Sequence, residues 1–260
     1  MPDAPIPKKS LGQHWLHDEA SLWAMLDHAG VTGEDTVLEI GPGLGTLTKL
    51  LVAEAERVVA VEFDEALAAG LAKRVPADNL QVVRQDILQF DLTTLPADYK
   101  VVANIPYYLT SKLVRVLSES ANSPAVAVLL VQKEVAERLA AKPGQLSILG
   151  VTSQFYWQVS LGLVVKAELF TPPPKVDSQI VVLQRRAEPL FPDVDTTQFF
   201  RLVKAGFGEK RKTLNNALSA GLHLEKPAVK QWLETAGVSP QLRAQNLSLD
   251  EWHTLYRTLP

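Results

Sequence analysis

The residues best suited to do chemistry are Asn104-Ile105-Pro106-Tyr107, which close the apolar run Val101-Val102-Ala103, and Gly41-Pro42-Gly43-Leu44-Gly45, which close Thr36-Val37-Leu38-Glu39-Ile40. Asn104 offers a side-chain carbonyl, and the Ile105 backbone carbonyl is a second acceptor beside the rigid Pro106. Two acceptors aimed at the hydrogens of an aromatic amine localise its lone pair and orient it. Tyr107 supplies a face on which a planar base stacks. Phe170, ahead of the Pro-rich corner Pro172-Pro173-Pro174, is expected to supply a second face. Such a set suits methyl transfer to the exocyclic nitrogen of an adenine. No neighbouring residue reads as a strong general base, and none is required, because the proton can leave to solvent afterwards.

The glycines describe the other reactant. Gly41 and Gly43 let backbone approach a ligand and turn sharply into a helix. Their spacing is G-x-G-x-G, not the G-x-G-x-x-G that cradles a pyrophosphate. Glu62 ends the next strand, about 20 residues on, where an acidic side chain accepts from ribose hydroxyls. Asp86 and Ile87 follow the third strand and suit an adenine ring, one accepting from its amino group and the other packing on its face. Glycine, ribose acceptor and adenine acceptor in that order point to an adenosyl cofactor without pyrophosphate, S-adenosylmethionine. Methyl transfer from a sulfonium is an in-line displacement, so alignment carries most of the effect.

These residues need a scaffold that brings several strand ends together. Apolar, Val-rich segments at Thr36–Ile40, Arg57–Glu62, Leu80–Arg84, Lys100–Asn104 and Ala125–Val131 alternate with helical patterns. That rhythm predicts a doubly wound, mostly parallel α/β sheet of Rossmann-like type. Ligands in such sheets bind beyond the carboxyl ends of the strands. Trp157–Val165 and Val176–Leu183 complete seven strands as an antiparallel C-terminal hairpin, and Phe170 to Lys175 is too Pro-rich for regular structure. Beyond a linker at 185–194 only helical patterns follow, including one from Lys210 to Ala220. The expected division is a catalytic domain at 1–188 and a small helical domain at 189–260.

The bulk numbers exclude some classes. The 260 residues contain no cysteine, so disulfides and Cys-based zinc sites are ruled out, and no metal ligand set is expected. No apolar run approaches the roughly 20 residues of a membrane span. Met1 to Ser10 is Pro-rich and polar rather than a signal peptide, so the expected location is the cytoplasm. A net charge of −3 argues against a broad positive field, and the densest basic run is Lys210-Arg211-Lys212. A monomer is expected, since no large apolar stripe is left over.

From Ser10 to about Asn246 the chain resembles the bacterial small-subunit ribosomal RNA adenine N6,N6-dimethyltransferases. The resemblance rests on Leu11-Gly12-Gln13-His14-Trp15-Leu16, Glu39 to Gly45, Asn104 to Tyr107, Gln132 to Val135, Phe170 to Ser178 and Phe207 to Ala217. It implies methylation of two adjacent adenosines in a hairpin near the 3′ end of the small-subunit RNA, within the immature subunit. It also implies that Gln13, His14 and Leu16 fold over the cofactor, with Gly41, Glu62, Asp86 and Asn104 lining its pocket. The helical domain would bind the ribosomal subunit, with Lys210, Arg211 and Lys212 contacting RNA phosphates. One departure stands out: the family reads Gly-Gln-Asn-Phe-Leu where this chain has His14 and Trp15. The competing readings are a large-subunit methyltransferase of the antibiotic-resistance type, a non-catalytic assembly factor and an NAD-dependent oxidoreductase.

Overall fold

The structure is a computed structural model that describes Pro7 and residues 12–260; Ser10, Leu11 and the rest of the Pro-rich start lie outside the described residues. A seven-stranded sheet organises the first unit. In chain order its strands are β2 (Thr36–Ile40), β3 (Arg57–Glu62), β4 (Leu80–Arg84), β5 (Lys100–Asn104), β6 (Val126–Gln132), β7 (Trp157–Val165) and β9 (Ser178–Arg185). Their spatial order is β4-β3-β2-β5-β6-β9-β7. The first five are mutually parallel; β9 runs antiparallel to β6 and neighbours β7, forming the C-terminal hairpin. A short strand, β1 (Trp15–Leu16), pairs antiparallel with β8 (Phe170–Thr171) in a separate ribbon. Phe170 and Thr171 are therefore a short strand, not the irregular chain expected from the Pro-rich run. Proline at 172 prevents extension but leaves these two residues free to pair.

Burial explains the strand composition. Val126 to Val131 of β6 are all buried, as are Val58 to Glu62 of β3, because helices cover both faces. The edge strand β7 keeps Leu161, Leu163 and Val164 exposed. Helix α1 (Glu19–Ala29) starts where Asp18 accepts from the Ser21 N–H at 2.9 Å and stops at Gly30, in the left-handed region with φ 57°. Helices α2 (Thr46–Glu54), α3 (Glu65–Arg74) and α4 (Thr110–Glu119) follow β2, β3 and β5, the last after a 3-10 turn. The cap of α3 is Asp64, whose carboxylate accepts from Ala66 and Leu67.

The chain reverses direction across the sheet between β2 and β5. The ladder joining them ends at Leu38↔Val101, yet β2 continues to Ile40 and β5 to Asn104. Their carboxyl ends therefore splay. This is the switch point at which doubly wound sheets bind ligands.

The second unit comprises 138–157 and 186–260, so the expected contiguous boundary near 188 needs correction. Helix α5 (Lys133–Leu139) crosses that division, and α6 (Ile148–Tyr156) groups with the C-terminal helices. The reason is hydrophobic: Val151 and Phe155 of α6, both fully buried, join a core with Phe199, Leu202, Trp232 and Trp252. The Phe155 and Phe199 rings stack at 5.3 Å. That core is completed by α7 (Thr196–Phe207), α8 (Leu214–Leu222), α9 (Lys226–Thr235) and α10 (Leu249–Arg257). Helix α8 starts four residues later than its apolar pattern predicts. Lys210 to Lys212 instead form a turn, with the Lys212 N–H on the Glu209 carbonyl at 3.0 Å.

Candidate active site

One cleft opens at the splayed ends of β2 and β5. Its wall contains Gln13, His14, Leu16, Gly41, Gly43, Glu62, Asn104, Ile105, Pro106 and Tyr107, so most of the expected site residues meet there. Gly41, Gly43 and Gly45 have φ of 68°, 56° and 86°, a backbone region that side chains disfavour. A Cβ on Gly43 would also stand 3.2 Å from the Trp15 indole. Trp15 thus rests on the glycine loop, a contact that its place in the departing motif does not reveal. The segment carrying it is pinned by the β1–β8 ribbon and by Thr46, whose hydroxyl donates to the Leu16 carbonyl at 3.1 Å.

Two carboxylates face the cleft. Glu62, 7% exposed, accepts from the Gly43 N–H at 3.1 Å and the Asp64 N–H at 2.9 Å, one to each oxygen. Burial raises its pKa, opposed by these donors. With the Phe63 N–H as a third backbone donor, part of the carboxylate's acceptor capacity stays free for a hydroxyl. Glu39, 1% exposed, is a cleft residue that its place in the strand Thr36–Ile40 does not single out. Its Oε2 has no hydrogen-bond partner, and burial pushes its pKa up to about 8, aided by the Glu62 charge and opposed by the Thr48 hydroxyl.

The opposite wall carries the acceptor motif. Asn104 donates from Nδ2 to the His14 carbonyl at 3.3 Å, so its Oδ1 is the end of the amide left to accept. The Tyr107 hydroxyl and Ser178 Oγ lie 2.8 Å apart, fixing the ring from β9. Burial raises the phenol pKa and keeps it protonated. The His14 ring stacks against Tyr107 at 5.9 Å and 18°, while its Nδ1 lies 2.7 Å from the Pro172 carbonyl. A carbonyl only accepts, so Nδ1 carries the proton.

Three expected residues lie elsewhere. Phe170 is 2% exposed, sits opposite Leu16 in β8 and belongs to the core, so it offers no stacking face; this expectation is corrected by burial. The exposed aromatics beside the cleft are instead Phe63 and Tyr108. Asp86 and Ile87 stand one strand out from Glu62, tied to it by the Gln85 N–H on the Glu62 carbonyl at 3.0 Å. They are not in the cleft wall, and Asp86 caps a 3-10 turn through the Leu88 N–H.

The wall fits a cationic adenosyl group better than a dinucleotide. Among the described residues it holds two glutamates and neither lysine nor arginine, so no cationic side chain there would balance a pyrophosphate. The unpartnered Glu39 oxygen and the spare acceptor sites on Glu62 suit ammonium and hydroxyl donors.

The family model for ribosomal RNA adenine dimethylase matches residues 7–260. The chain belongs to that family. A curated relative from Dehalococcoides mccartyi, "Ribosomal RNA small subunit methyltransferase A", is 41% identical over 95% of this chain and 87% of its own. A protein of the same name from Bacillus mycoides is 38% identical over 97% of this chain and 91% of its own. Among solved structures, a dimethyladenosine transferase from Plasmodium falciparum superposes with a TM-score of 0.77 at 28% identity, covering 93% of this chain and 96% of the other. The 23S rRNA methyltransferase ErmE reaches 0.75, also at 28%, covering 94% and 99%. Membership makes this chain an S-adenosylmethionine-dependent rRNA adenine dimethyltransferase with a Rossmann-like catalytic fold. The oxidoreductase reading is thereby excluded.

Proposed function

We propose that the chain dimethylates two adjacent adenosines near the 3′ end of small-subunit ribosomal RNA, acting as a cytoplasmic monomer on the immature subunit. The observation that carries the chemistry is the splayed β2–β5 crevice, which puts the Glu39–Glu62 wall and the Asn104–Tyr107 wall in one cleft. Fold similarity does not choose between small-subunit and large-subunit targets, since the two solved neighbours score 0.77 and 0.75. Sequence favours the small subunit, with relatives of that name at 38–41% identity over nearly the whole chain.

In this reading Glu62 accepts from the ribose hydroxyls, Glu39 receives the ammonium end, Gly41 and Gly43 allow close approach, and Gln13 to Leu16 close over the cofactor. Asp86 and Ile87 hold the adenine ring from the neighbouring strand end. When bound, S-adenosylmethionine supplies an electrophilic methyl carbon on a sulfonium. Asn104 Oδ1 and the Ile105 carbonyl accept from the target amine and aim its lone pair, with Pro106 keeping that corner rigid. Tyr107 stacks on the base, which must be unpaired or extruded from the RNA. Alignment by these groups carries the rate, because the leaving group is already activated.

The second unit supplies RNA contacts. Lys210, Arg211 and Lys212 are all exposed in the turn between α7 and α8. Arg201 and Lys204 line a cleft beside that turn, which enlarges the positive surface. Phosphate contacts of this kind position RNA without reading bases.

The deciding experiment is methyl transfer from labelled S-adenosylmethionine to unmethylated small subunits, with large subunits alongside and digestion to nucleosides. Dimethyladenosine in the small subunit alone is the expected result. Label confined to the large subunit would replace this proposal with the resistance-type activity. Cofactor binding without label in either would point to a silent assembly factor.

A further inference from the structure

The glycine loop is gripped from outside the cleft by an arginine that no motif includes. Arg74, the last residue of α3, is not part of the cleft wall. Its guanidinium donates from Nη2 to the Gly43 carbonyl at 3.0 Å and the Leu67 carbonyl at 2.8 Å, and from Nε to the Leu44 carbonyl at 3.3 Å. Gly43 is therefore held at both ends, its N–H by Glu62 and its carbonyl by Arg74.

Gly70 makes room for this grip. It lies one helical turn before Arg74, on the same face of α3. A Cβ at Gly70 would stand 2.3 Å from Arg74 Nη1 and 3.3 Å from Cζ. Those atoms end a flexible side chain, so an alanine there would displace the guanidinium and leave the helix intact. The loop itself touches α3: a Cβ on Gly45 would stand 2.8 Å from Val75 and 2.9 Å from Leu71.

A loop with three left-handed glycines has more conformations to lose on binding than one with side chains at those positions. A ligand that meets such a loop already ordered binds more tightly. We propose that Arg74, seated by Gly70, is a positioning residue that pre-orders the Gly41–Gly45 loop and so sets affinity for S-adenosylmethionine without touching it. The inference rests on the cleft being the cofactor site. Arginine is required because its planar fork spans three carbonyls, which a lysine ammonium cannot reproduce.

The test is calorimetric binding of S-adenosylhomocysteine to the full-length chain, comparing wild type with Arg74→Met, Arg74→Lys, Gly70→Ala, the Gly70→Ala/Arg74→Met pair and Glu62→Ala. Arg74→Met is expected to weaken binding about tenfold, the loss of hydrogen bonds from a charged donor. Arg74→Lys should be as weak, and rescue by lysine would overturn the three-carbonyl grip. Gly70→Ala should weaken binding in the same sense while leaving the thermal midpoint unchanged or raised, because alanine is the better helix former. A purely structural arginine would instead move the midpoint and spare the affinity. The double variant should bind no more weakly than Arg74→Met; additive losses would overturn the assignment of Gly70. In steady state, KM for the cofactor should rise while kcat and KM for the small subunit stay within about twofold. If Arg74→Met binds like wild type while Glu62→Ala does not, Arg74 is no positioning residue and the cleft reading survives. If neither variant changes affinity, both ideas fail.

Discussion

The cleft at the ends of β2 and β5 and the turn between α7 and α8 both concentrate charge, but they hold it in opposite ways. In the cleft, Glu39 and Glu62 are 1% and 7% exposed, and their proton affinities are set by burial and by specific donors. In the turn, Lys210, Arg211 and Lys212 stand in solvent. Groups of the first kind act one atom at a time, since a low local dielectric magnifies each contact. Groups of the second kind act through a summed field that salt screens. In the proposed reading, catalytic alignment belongs to the cleft and RNA attraction to the turn. Mutations should separate the two sharply.

The largest effect is expected at the acceptor wall. Asn104→Ala removes the Oδ1 proposed to aim the target amine, and turnover should fall by about 10²–10³-fold, the range for losing a preorganised polar contact in a dry site. Binding of S-adenosylhomocysteine should stay within a few-fold. Turnover within a few-fold of wild type would remove Asn104 from the chemistry.

A smaller effect, specific to buried charge, is expected at Glu39. Its folded pKa of about 8 lies above the ordinary 4.5, so between those values the folded chain keeps a proton that the unfolded chain releases. Stability of the ligand-free protein should therefore fall as pH rises through that window, with no penalty below it and the full penalty above it. The shift sets a ceiling of roughly 4–5 kcal/mol, and relaxation around the carboxylate should bring the observed change to a few kcal/mol. Burial raises Glu62 in the same direction. Glu39→Gln should flatten the slope and stabilise the protein at pH 8.5 relative to wild type, read as urea midpoints at pH 5.5 and 8.5. Parallel slopes for the two proteins would show that Glu39 is not held protonated.

The same contrast explains how much could be read from sequence. Strands β2, β3 and β5 fall on the residues their apolar runs predict, because a strand covered on both faces leaves a continuous hydrophobic signature. The edge strands β4 and β7 fall as predicted on their Val- and Leu-rich runs although they are partly exposed. Gly41, Glu62 and Asn104 were legible because strand ends are where such sheets bind ligands. Phe170 was misread because an aromatic before a proline corner looks the same whether it faces a ligand or Leu16. The contacts of Trp15, Ser178 and Arg74 were not legible because their partners, Gly43, Tyr107 and the loop carbonyls, are far away in the chain. The grouping of α6 with the C-terminal helices was hidden for the same reason, since Phe155 meets Phe199 only in three dimensions.

At Glu62 the contrast can be sharpened further. Glu62→Ala removes the proposed acceptor for ribose and frees the Gly43 N–H, and cofactor affinity should drop by about 1–3 kcal/mol, as for a charged hydrogen bond. The salt dependence of subunit binding should not change. Unchanged affinity by calorimetry would take Glu62 out of the cofactor site.

The basic turn should show the converse, with the smallest effect per residue. Each exposed cation that sits on a phosphate releases counterions, contributing a slope of roughly 0.7–0.9 to the dependence of log K on log salt. Replacing Lys210, Arg211 and Lys212 together by glutamine should lower the slope for small-subunit binding by up to about 2–3, on the same scale. Affinity should fall most at low salt and converge with wild type as salt rises. S-adenosylhomocysteine affinity should be untouched, because none of the three is among the residues that line the cleft. An unaltered slope would reduce the three residues to an ordinary solvated turn. The positive surface would then have to come from Arg201 and Lys204, which border the neighbouring cleft and share the same exposure.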